Sequence, residues 1–210
     1  MYQIFVADDH DLIREGFKNV INSEVDMEVV GEAKNAGEVI EFLHRYECDV
    51  VVLDITMPGR SGLDVLKEIQ LLDQEVKVLI LSMHPEDRFA IRTLKAGASG
   101  YITKEKAPEE LIMAIRKILA GGKYVSDSLA ENLIDALSGQ DSGQPHTELS
   151  DREYEVFELI AQGMPTGDIA EKLSLSKSTI NTYRGRILNK LDMKSNAEIV
   201  KYAVKHELIE

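Results

Sequence analysis

Acidic side chains follow two apolar runs that have the length of β-strands, and this placement suits phosphate or metal chemistry. Asp8 and Asp9 come directly after YQIFVA, and Asp54 ends DVVVLD. Ligand sites in open parallel sheets lie beyond the carboxyl ends of the strands, so neighbouring strands would bring these three carboxylates to one edge. Carboxylate oxygens are the ligands that Mg²⁺ prefers, and Mg²⁺ often joins protein carboxylates to a phosphate.

Two further polar side chains stand at strand ends in the same part of the chain. Ser82 ends VKVLILS, and Lys104 follows SGYIT. Each residue alone says little, because a single aspartate after a strand is more often a turn residue or a helix cap. The joint pattern is more specific, since four runs each deliver a polar group to the same edge. We interpret it as a shared site of three carboxylates and a lysine that binds a hard divalent cation.

Five strand-length runs must position this site. They are rich in β-branched residues and alternate with segments of helical period. Parallel strands need crossovers, and right-handed crossovers place helices on both faces of the sheet. We therefore predict an α/β domain with a parallel sheet. Its predicted strands span residues 2–7, 27–33, 49–54, 76–82 and 99–103.

The pattern changes after residue 121. Residues 126–137 have the apolar spacing of a short helix, and SGQDSGQPHTE, residues 138–148, is polar and typical of an interdomain linker. From Ser150 onward the chain has the pattern of four short helices, three of which start after a serine that suits an N-cap. We predict three segments: a domain at 1–121, a linker at 122–147 and a small all-α domain at 148–210.

Positive charge is concentrated in one stretch of the second domain. Residues 1–147 carry 15 Lys and Arg against 26 Asp and Glu, whereas residues 148–210 carry 9 against 11. Within residues 177–194 there are five Lys or Arg and a single Asp. A local positive excess on an otherwise acidic protein can meet a phosphate backbone.

The segment DIAEKLSLSKSTINTYRGRILNKL has the layout of a helix-turn-helix. Its apolar residues would face the domain core and leave five residues of the second helix pointing away: Lys177, Asn181, Thr182, Gly185 and Arg186. Such a face suits a major groove, where Asn can pair with adenine and Arg with guanine. The alternative is a helical bundle with a solvated face, but that face would use Lys and Glu at salt-bridge spacing. Residues 177–191 contain no acid.

Composition and the chain start argue against several classes of protein. No apolar run approaches the roughly 20 residues that span a bilayer. The first nine residues hold two acids and no basic region, so we predict no secretory signal, no membrane contact and a cytoplasmic location. Cys48 is the only cysteine, which argues against a disulfide framework and a cysteine zinc cluster.

The motifs VADDH, VVLDITMPGRSG, ILSMH and AGASGYITK together resemble the receiver domain of two-component response regulators, over residues 1 to 121. The resemblance implies a flavodoxin-like (βα)5 fold with sheet order 2-1-3-4-5. It also implies that a sensor histidine kinase transfers a phosphoryl group to Asp54 and that Mg²⁺ is the cofactor. The implied metal ligands are Asp8, Asp9, Asp54 and the backbone carbonyl of Thr56.

The same resemblance gives roles to residues around the phosphoryl group. Lys104 would pair with the phosphoryl oxygens, and Ser82 would make the hydrogen bond that follows phosphorylation. Tyr101 would be an aromatic rotor that swings inward; the alternative is a partly buried sheet aromatic. We also predict that Thr56 and His84 flank the path of attacking water and tune the lifetime of the aspartyl phosphate.

Residues 149–195 resemble the LuxR-type helix-turn-helix, so the whole chain is similar to response regulators of the NarL/FixJ type. By position, Asn181 and Thr182 match base-facing sites of that family, and we add Arg186 as a third base contact. Gly185 departs from the larger polar residue often found there, which leaves open the contact at this position and the DNA sequence that is bound. Five residues are predicted to contact the DNA backbone: Thr166, Lys177, Thr179, Arg184 and Lys190. The implied partners are double-stranded DNA and a second copy of the chain on activation, with RNA polymerase as a further candidate.

We predict a phosphorylation-controlled transcription regulator that is not an enzyme, in which phosphorylation frees or dimerises the C-terminal domain for promoter binding. One alternative is a flavodoxin-like enzyme that uses the acidic pocket for Mg²⁺-dependent phosphate hydrolysis. No strand-end His or Arg stands as a general acid or second charge clamp for that reaction. The other alternative is a receiver that no longer takes phosphate. Its usual mark would be loss of Asp8, Asp9, Asp54 or Lys104, and all four are present.

Overall fold

The computed structural model describes residues 1–57, 62–72, 75–83, 86–126, 129–130, 145–173, 175–206 and 208–209. The chain divides into two compact units, Met1–Gln140 and Asp141–Glu210. The finer limits that the sequence predicts, at residues 121 and 148, stay predictions. His84 and most of the predicted helix at 126–137 lie outside the described residues. Within the described part of the chain, no helix is both long enough and apolar enough to span a membrane.

The first unit is a five-stranded parallel sheet whose strands alternate with helices. The elements are β1 (Tyr2–Ala7), α1 (Asp11–Asn22), β2 (Met27–Ala33), α2 (Ala36–Leu43), β3 (Val50–Asp54), α3 (Gly62–Ile69), β4 (Lys77–Ser82), α4 (Glu86–Lys95), β5 (Gly100–Thr103) and α5 (Ala107–Leu119). The strand order is β2-β1-β3-β4-β5, and every pairing is parallel. The predicted flavodoxin-like fold and its sheet order are therefore confirmed.

The middle of the sheet explains why its strands are so apolar. Every residue of β3 is buried, and so is every residue of β4 after Lys77. Strands covered on both faces need continuous apolar runs, because neither face meets water. The register then brings the carboxyl ends of four strands level with one another. The pairs at these ends are Ala7 with Leu53, Asp54 with Leu81, and Ser82 with Thr103.

The second unit is helical. A short 3₁₀ helix, Pro145–Glu148, precedes α6 (Asp151–Ala161), α7 (Thr166–Lys172), α8 (Lys177–Lys190) and α9 (Asn196–Lys205). Three serines accept hydrogen bonds at helix starts: Ser150 at α6, Ser176 at α8 and Ser195 at α9. Such caps satisfy amide groups that have no partner inside the helix. The predicted serine caps and the all-helical second domain are confirmed.

Candidate functional site

Two carboxylates and one ammonium group meet at the carboxyl edge of the sheet. Because β1 and β3 are neighbours, Asp8 and Asp54 lie side by side, and both are 0% exposed. Lys104, which follows β5, places its Nζ 2.7 Å from Asp8 Oδ2 and 2.8 Å from Asp54 Oδ2. One buried lysine thus bridges the two predicted acidic groups.

Local backbone groups orient the same carboxylates. The amide of Thr56 donates to Asp54 Oδ1 at 3.0 Å, and the amide of His10 donates to Asp8 Oδ1 at 2.8 Å. The His10 ring adds a contact that the sequence did not suggest, because its Nδ1 lies 3.1 Å from Asp8 Oδ1 and 2.8 Å from Asp9 Oδ1. The strand ends therefore deliver the acids, and the loops that follow fix where their oxygens point.

Burial and charge shift the pKa values at this edge. Burial raises the pKa of the Asp54 carboxyl; the charge of Lys104 lowers it, the charge of Asp8 raises it, and the net shift is upward. For Lys104, burial lowers the pKa of the ammonium group, but contact with Asp54 and Asp8 outweighs this and raises it. Lys104 consequently remains a cation at neutral pH and offsets part of the repulsion between the carboxylates.

The acidic residues fit the predicted magnesium ion. Asp8, Asp9, His10 and Asp54 each offer one ligand atom, and these atoms all lie within 4.8 Å of one another. Asp8 Oδ2 and Asp9 Oδ1 are both buried, and they lie 2.7 Å from Lys104 Nζ and 2.8 Å from His10 Nδ1. A set dominated by carboxylate oxygens matches Mg²⁺, so we assign the His10 ring to orienting these oxygens.

Ser82 and Tyr101 are both buried at the neighbouring strands. Ser82 is the last residue of β4, and its carbonyl accepts a hydrogen bond from the Lys104 amide at 2.7 Å. This places Ser82 beside the strand end that carries the lysine. Tyr101 lies in β5 with its side chain 1% exposed. An inward ring agrees both with the predicted rotor and with a static sheet aromatic, so the rotor stays a prediction.

Gly62 is the residue that allows α3 to start against the end of β3. Its amide donates to the Ile55 carbonyl at 2.9 Å. A Cβ at this position would lie 2.5 Å from the Asp54 carbonyl oxygen and 2.6 Å from Ile55 Cα. Because both of those atoms belong to the backbone, no side-chain rotation can relieve the contact.

Replacement of Gly62 by alanine should therefore displace the backbone at Asp54. We expect the free energy of unfolding of the first unit to fall by about 1–3 kcal/mol, measured by hydrogen exchange of the β3 amides. Gly16→Ala on α1 is the matched control, because a Cβ there meets nothing within 4 Å. That change should raise the stability by about 0.5–1 kcal/mol. Equal effects of the two changes would contradict the close approach at Gly62.

Helix α8 presents the predicted base-contacting residues to solvent. Ile180 and Ile187 are fully buried, whereas Asn181, Thr182 and Arg186 are exposed. The Thr182 hydroxyl donates to the Ser178 carbonyl at 3.0 Å, so it is already oriented along the helix. A shallow groove of about 240 Å³ runs along this face and is lined by Ser178, Thr179, Thr182, Tyr183 and Arg186.

Two of the residues predicted to contact the DNA backbone form hydrogen bonds to other side chains of the second unit. Lys190 Nζ donates to Glu153 Oε2 at 2.6 Å, and Arg184 Nε donates to Asn196 Oδ1. Burial raises the pKa of the Glu153 carboxyl, but Lys190 and Ser150 outweigh it and lower the pKa. Lys190 therefore joins α8 to α6, and Arg184 joins α8 to α9.

The other predicted backbone contacts differ in exposure. Lys177 is exposed at the start of α8, whereas Thr166 and Thr179 are half-buried. DNA contacts by these three residues, and by Arg184 and Lys190, stay predictions.

Two protein families match the chain. Residues 4–116 match the family described as response regulator receiver domain, and residues 147–203 match bacterial regulatory proteins of the luxR family. Together these matches cover most of both compact units.

Several relatives are similar over nearly their whole length. The chain is 38% identical to the oxygen regulatory protein NreC of Staphylococcus epidermidis, with 99% of each chain covered. It is 35% identical to response regulator GacA of Pseudomonas aeruginosa, over 100% of this chain and 99% of the relative. It is 31% identical to response regulator UvrY of Escherichia coli, over 99% and 96%.

Solved structures show the same likeness. A LuxR-family two-component response regulator from Aurantimonas sp. matches with a TM-score of 0.61 and 36% identity, over 66% of this chain and 99% of that one. RcsB of Salmonella enterica serovar Typhimurium, bound to a promoter in the presence of the phosphomimetic BeF3⁻, matches with a TM-score of 0.60 and 25% identity. That match covers 96% of this chain and 97% of RcsB.

Proposed function

The chain belongs to the two-component response regulators that join a receiver domain to a LuxR-type DNA-binding domain, and from this premise we propose that Asp54 is its phosphoacceptor. The observation that carries the proposal is the position of the Asp54 carboxylate. It lies at the carboxyl end of β3, oriented by the Thr56 amide, beside Asp8 and in contact with Lys104. The family consists of DNA-binding transcription regulators, so the phosphoryl group acts as a signal.

The chemistry follows from these groups. A carboxylate oxygen of Asp54 attacks the phosphorus atom, and the bond from phosphorus to a histidine nitrogen of a sensor kinase breaks as the new bond forms. Charge develops on the equatorial phosphoryl oxygens, and the Lys104 cation is placed to stabilise it. Asp8, Asp9, Asp54 and the Thr56 carbonyl would hold Mg²⁺, which supplies further positive charge when bound.

Phosphorylation changes what Lys104 and Ser82 can bind. The phosphoryl group adds roughly −1.5 to −2 charges where Asp54 carried a single one. Lys104, which now bridges Asp8 and Asp54, would turn to the phosphoryl oxygens, and the Ser82 hydroxyl would donate to one of them. Contacts that exist only in the phosphorylated protein bias a two-state element toward one arrangement. The proposed response of Tyr101 is to hold its ring inward in that arrangement.

The second unit would deliver the signal to double-stranded DNA through α8. The proposed base contacts are Asn181, Thr182 and Arg186, which share the exposed side of that helix. RcsB has been solved on a promoter with a phosphomimetic, and this supports DNA binding by the phosphorylated form of the present chain.

We further propose a homodimer on activation, because a helix-turn-helix dimer spans two half-sites. On α9, Val204 is 60% exposed, whereas Leu208, just after the helix, is buried. We therefore propose Val204, and not Leu208, as a residue of the dimer interface. A sensor histidine kinase as phosphoryl donor, RNA polymerase as partner and a cytoplasmic location stay part of this proposal.

The proposed function is tested by measuring DNA binding and the molecular mass of the protein in solution, each with and without acetyl phosphate and Mg²⁺. We expect phosphorylation to convert a monomer into a dimer and to enrich specific duplexes from a random-sequence pool. Asn181→Ala should lower the discrimination among those duplexes by about 1–3 kcal/mol. Gln162→Ala, an exposed amide after α6, is the matched control and should change nothing. The proposal would be overturned if DNA binding changed neither on addition of acetyl phosphate nor in Asn181→Ala.

A further inference from the structure

Arg14 is a buried cation that the proposed phosphoryl transfer does not use. It lies in the first turns of α1 and is 5% exposed, although arginine is rarely buried unless it is paired. Its guanidinium donates to three acceptors: Nη1 to the Asp8 carbonyl oxygen at 2.8 Å, Nη2 to Asp11 Oδ1 at 2.6 Å and Nε to Glu32 Oε2 at 2.8 Å. These acceptors belong to the end of β1, to α1 and to β2, so one side chain ties three segments together.

The contact with Asp8 has a direct geometric consequence. The carbonyl of Asp8 belongs to the peptide group that joins Asp8 to Asp9. On the other side, the Asp8 amide donates to the Ala33 carbonyl at 3.1 Å. Arg14 therefore fixes the plane of the one peptide group that lies between the two acidic residues. The directions of both carboxylates depend on that plane.

Charge adds a second effect. Asp8, Asp9, Asp11 and Glu32 crowd this corner of the unit, and Arg14 is the cation that contacts three of those residues. Lys18 and Lys34 reach Glu32 and Asp11 from the exposed side, at 3.3 Å and 3.0 Å. These lysines hold Glu32 and Asp11 against the guanidinium of Arg14. The two carboxylates in turn orient the guanidinium toward the Asp8 carbonyl.

We propose that Arg14 is a positioning residue for the divalent cation: by holding the Asp8–Asp9 peptide group it presets the spacing of the two carboxylates. This inference rests on the proposed function, because it assigns the acidic edge of the sheet, the site formed by Asp8, Asp9, Asp54 and Lys104, to Mg²⁺ in phosphoryl transfer. Groups that orient metal ligands from outside typically change metal affinity by about 10–100-fold when they are removed. Arg14 should thus act on Mg²⁺ affinity and leave the transfer step itself largely unchanged.

Arg14→Lys is the first test. Lysine keeps the positive charge, but its ammonium group cannot donate to three acceptors with the planar geometry of a guanidinium group. We expect the Mg²⁺ dissociation constant, measured by titration calorimetry, to rise about tenfold or more. The Mg²⁺ concentration for half-maximal phosphorylation by acetyl phosphate should rise by the same factor. The rate at saturating Mg²⁺ should stay within about twofold of the wild type, because Lys104 and Asp54 are untouched.

Arg116→Lys is the matched control. Arg116 is also an arginine held by two acids, with 2.6 Å contacts to Glu24 and Asp26, but it stands on α5 and contacts no residue of the acidic edge. Its replacement should leave the Mg²⁺ dissociation constant unchanged. Glu32→Gln keeps Arg14 and weakens its anchor, so it should raise the constant in the same direction by a smaller factor. It also serves as the test if Arg14→Lys does not fold.

The outcomes separate this inference from the proposed function. A purely structural role for Arg14 would lower the stability of the first unit with no change in the Mg²⁺ dissociation constant of the folded protein, and that result overturns the inference. If the wild type takes no phosphate but Arg14→Lys still weakens Mg²⁺ binding, the proposed function fails and the positioning role stands. If the wild type is phosphorylated and neither variant shifts the constant, the positioning role fails alone.

Discussion

Asp54→Asn is expected to abolish phosphorylation by acetyl phosphate in the presence of Mg²⁺. The amide keeps the shape of the side chain and removes the anionic oxygen that attacks phosphorus. Asp8 also contacts Lys104 and accepts from a backbone amide, that of His10, so the variant distinguishes Asp54 from this neighbouring carboxylate. Intact-protein mass spectrometry should show one added phosphoryl group on the wild type and none on the variant.

The same variant should fold at least as well as the wild type. The pKa of Asp54 is raised chiefly by burial, so at neutral pH its charged form costs the folded state free energy. A neutral amide removes that cost and the repulsion with Asp8, which offsets the lost pairing with Lys104. Retained stability makes the loss of phosphorylation a chemical effect.

Asp49→Asn is the matched control, because Asp49 is exposed just before β3 and accepts from the Gln3 amide at 2.7 Å. It should be phosphorylated like the wild type. A phosphoryl group found on Asp54→Asn would contradict the assignment and direct attention to Asp8 or Asp9.

The acidic edge could be predicted from sequence because it depends on strand ends. Asp8, Asp54 and Lys104 each follow an apolar run directly, and a parallel sheet makes such positions converge. The serine caps were predictable from local pattern, whereas the sheet order was implied by the resemblance to receiver domains. Distances between atoms needed the structure, because a strand end fixes where a backbone stops and not how a side chain turns.

Arg14 shows what the sequence reasoning missed and which signal was present. Arg14, Phe17 and Ile21 are spaced as residues i, i+3 and i+7 of one helix, and all three are buried. A charged residue on the core face of a helix indicates that it is paired with a group of opposite charge. The identity of that partner was beyond reach, because Glu32 lies 18 residues away on β2 and meets Arg14 only after β2 pairs with β1.

The pairing of Lys190 with Glu153 likewise joins residues that are distant in sequence and that only the fold brings together. A lysine near the end of a basic helix suggests a phosphate contact, and Glu153 in the first turn of α6 suggests a capping box, which it also forms. Only the packing of α6 against α8 brings the two side chains within 2.6 Å of one another. A cation of α8 that forms such an ion pair stabilises the second unit, and only the structure distinguishes it from the cations that stay exposed.

Lys104→Met should cause the largest loss of stability among single changes at the acidic edge. It leaves Asp8 and Asp54 buried side by side with no cation between them, and removing one partner of a buried ion pair typically costs about 3–5 kcal/mol. The loss should be present at neutral pH. It should shrink as the pH falls through the raised pKa of the Asp54 carboxyl, because protonation of Asp54 removes its repulsion with Asp8.

Hydrogen exchange of the β3 amides measures this loss in the unit that contains the site. Lys95→Met is the control, since Lys95 is exposed in the last turn of α4 and its replacement should stay within about 0.5 kcal/mol of the wild type. A double change gives the sharper test. In an Asp54→Asn background, Lys104→Met should cost clearly less than it does alone, because only Asp8 then remains charged beside the missing ammonium group. If both backgrounds lose the same free energy, Lys104 contributes through its packing, and the charge bridge between Asp8 and Asp54 is not what stabilises this edge of the sheet.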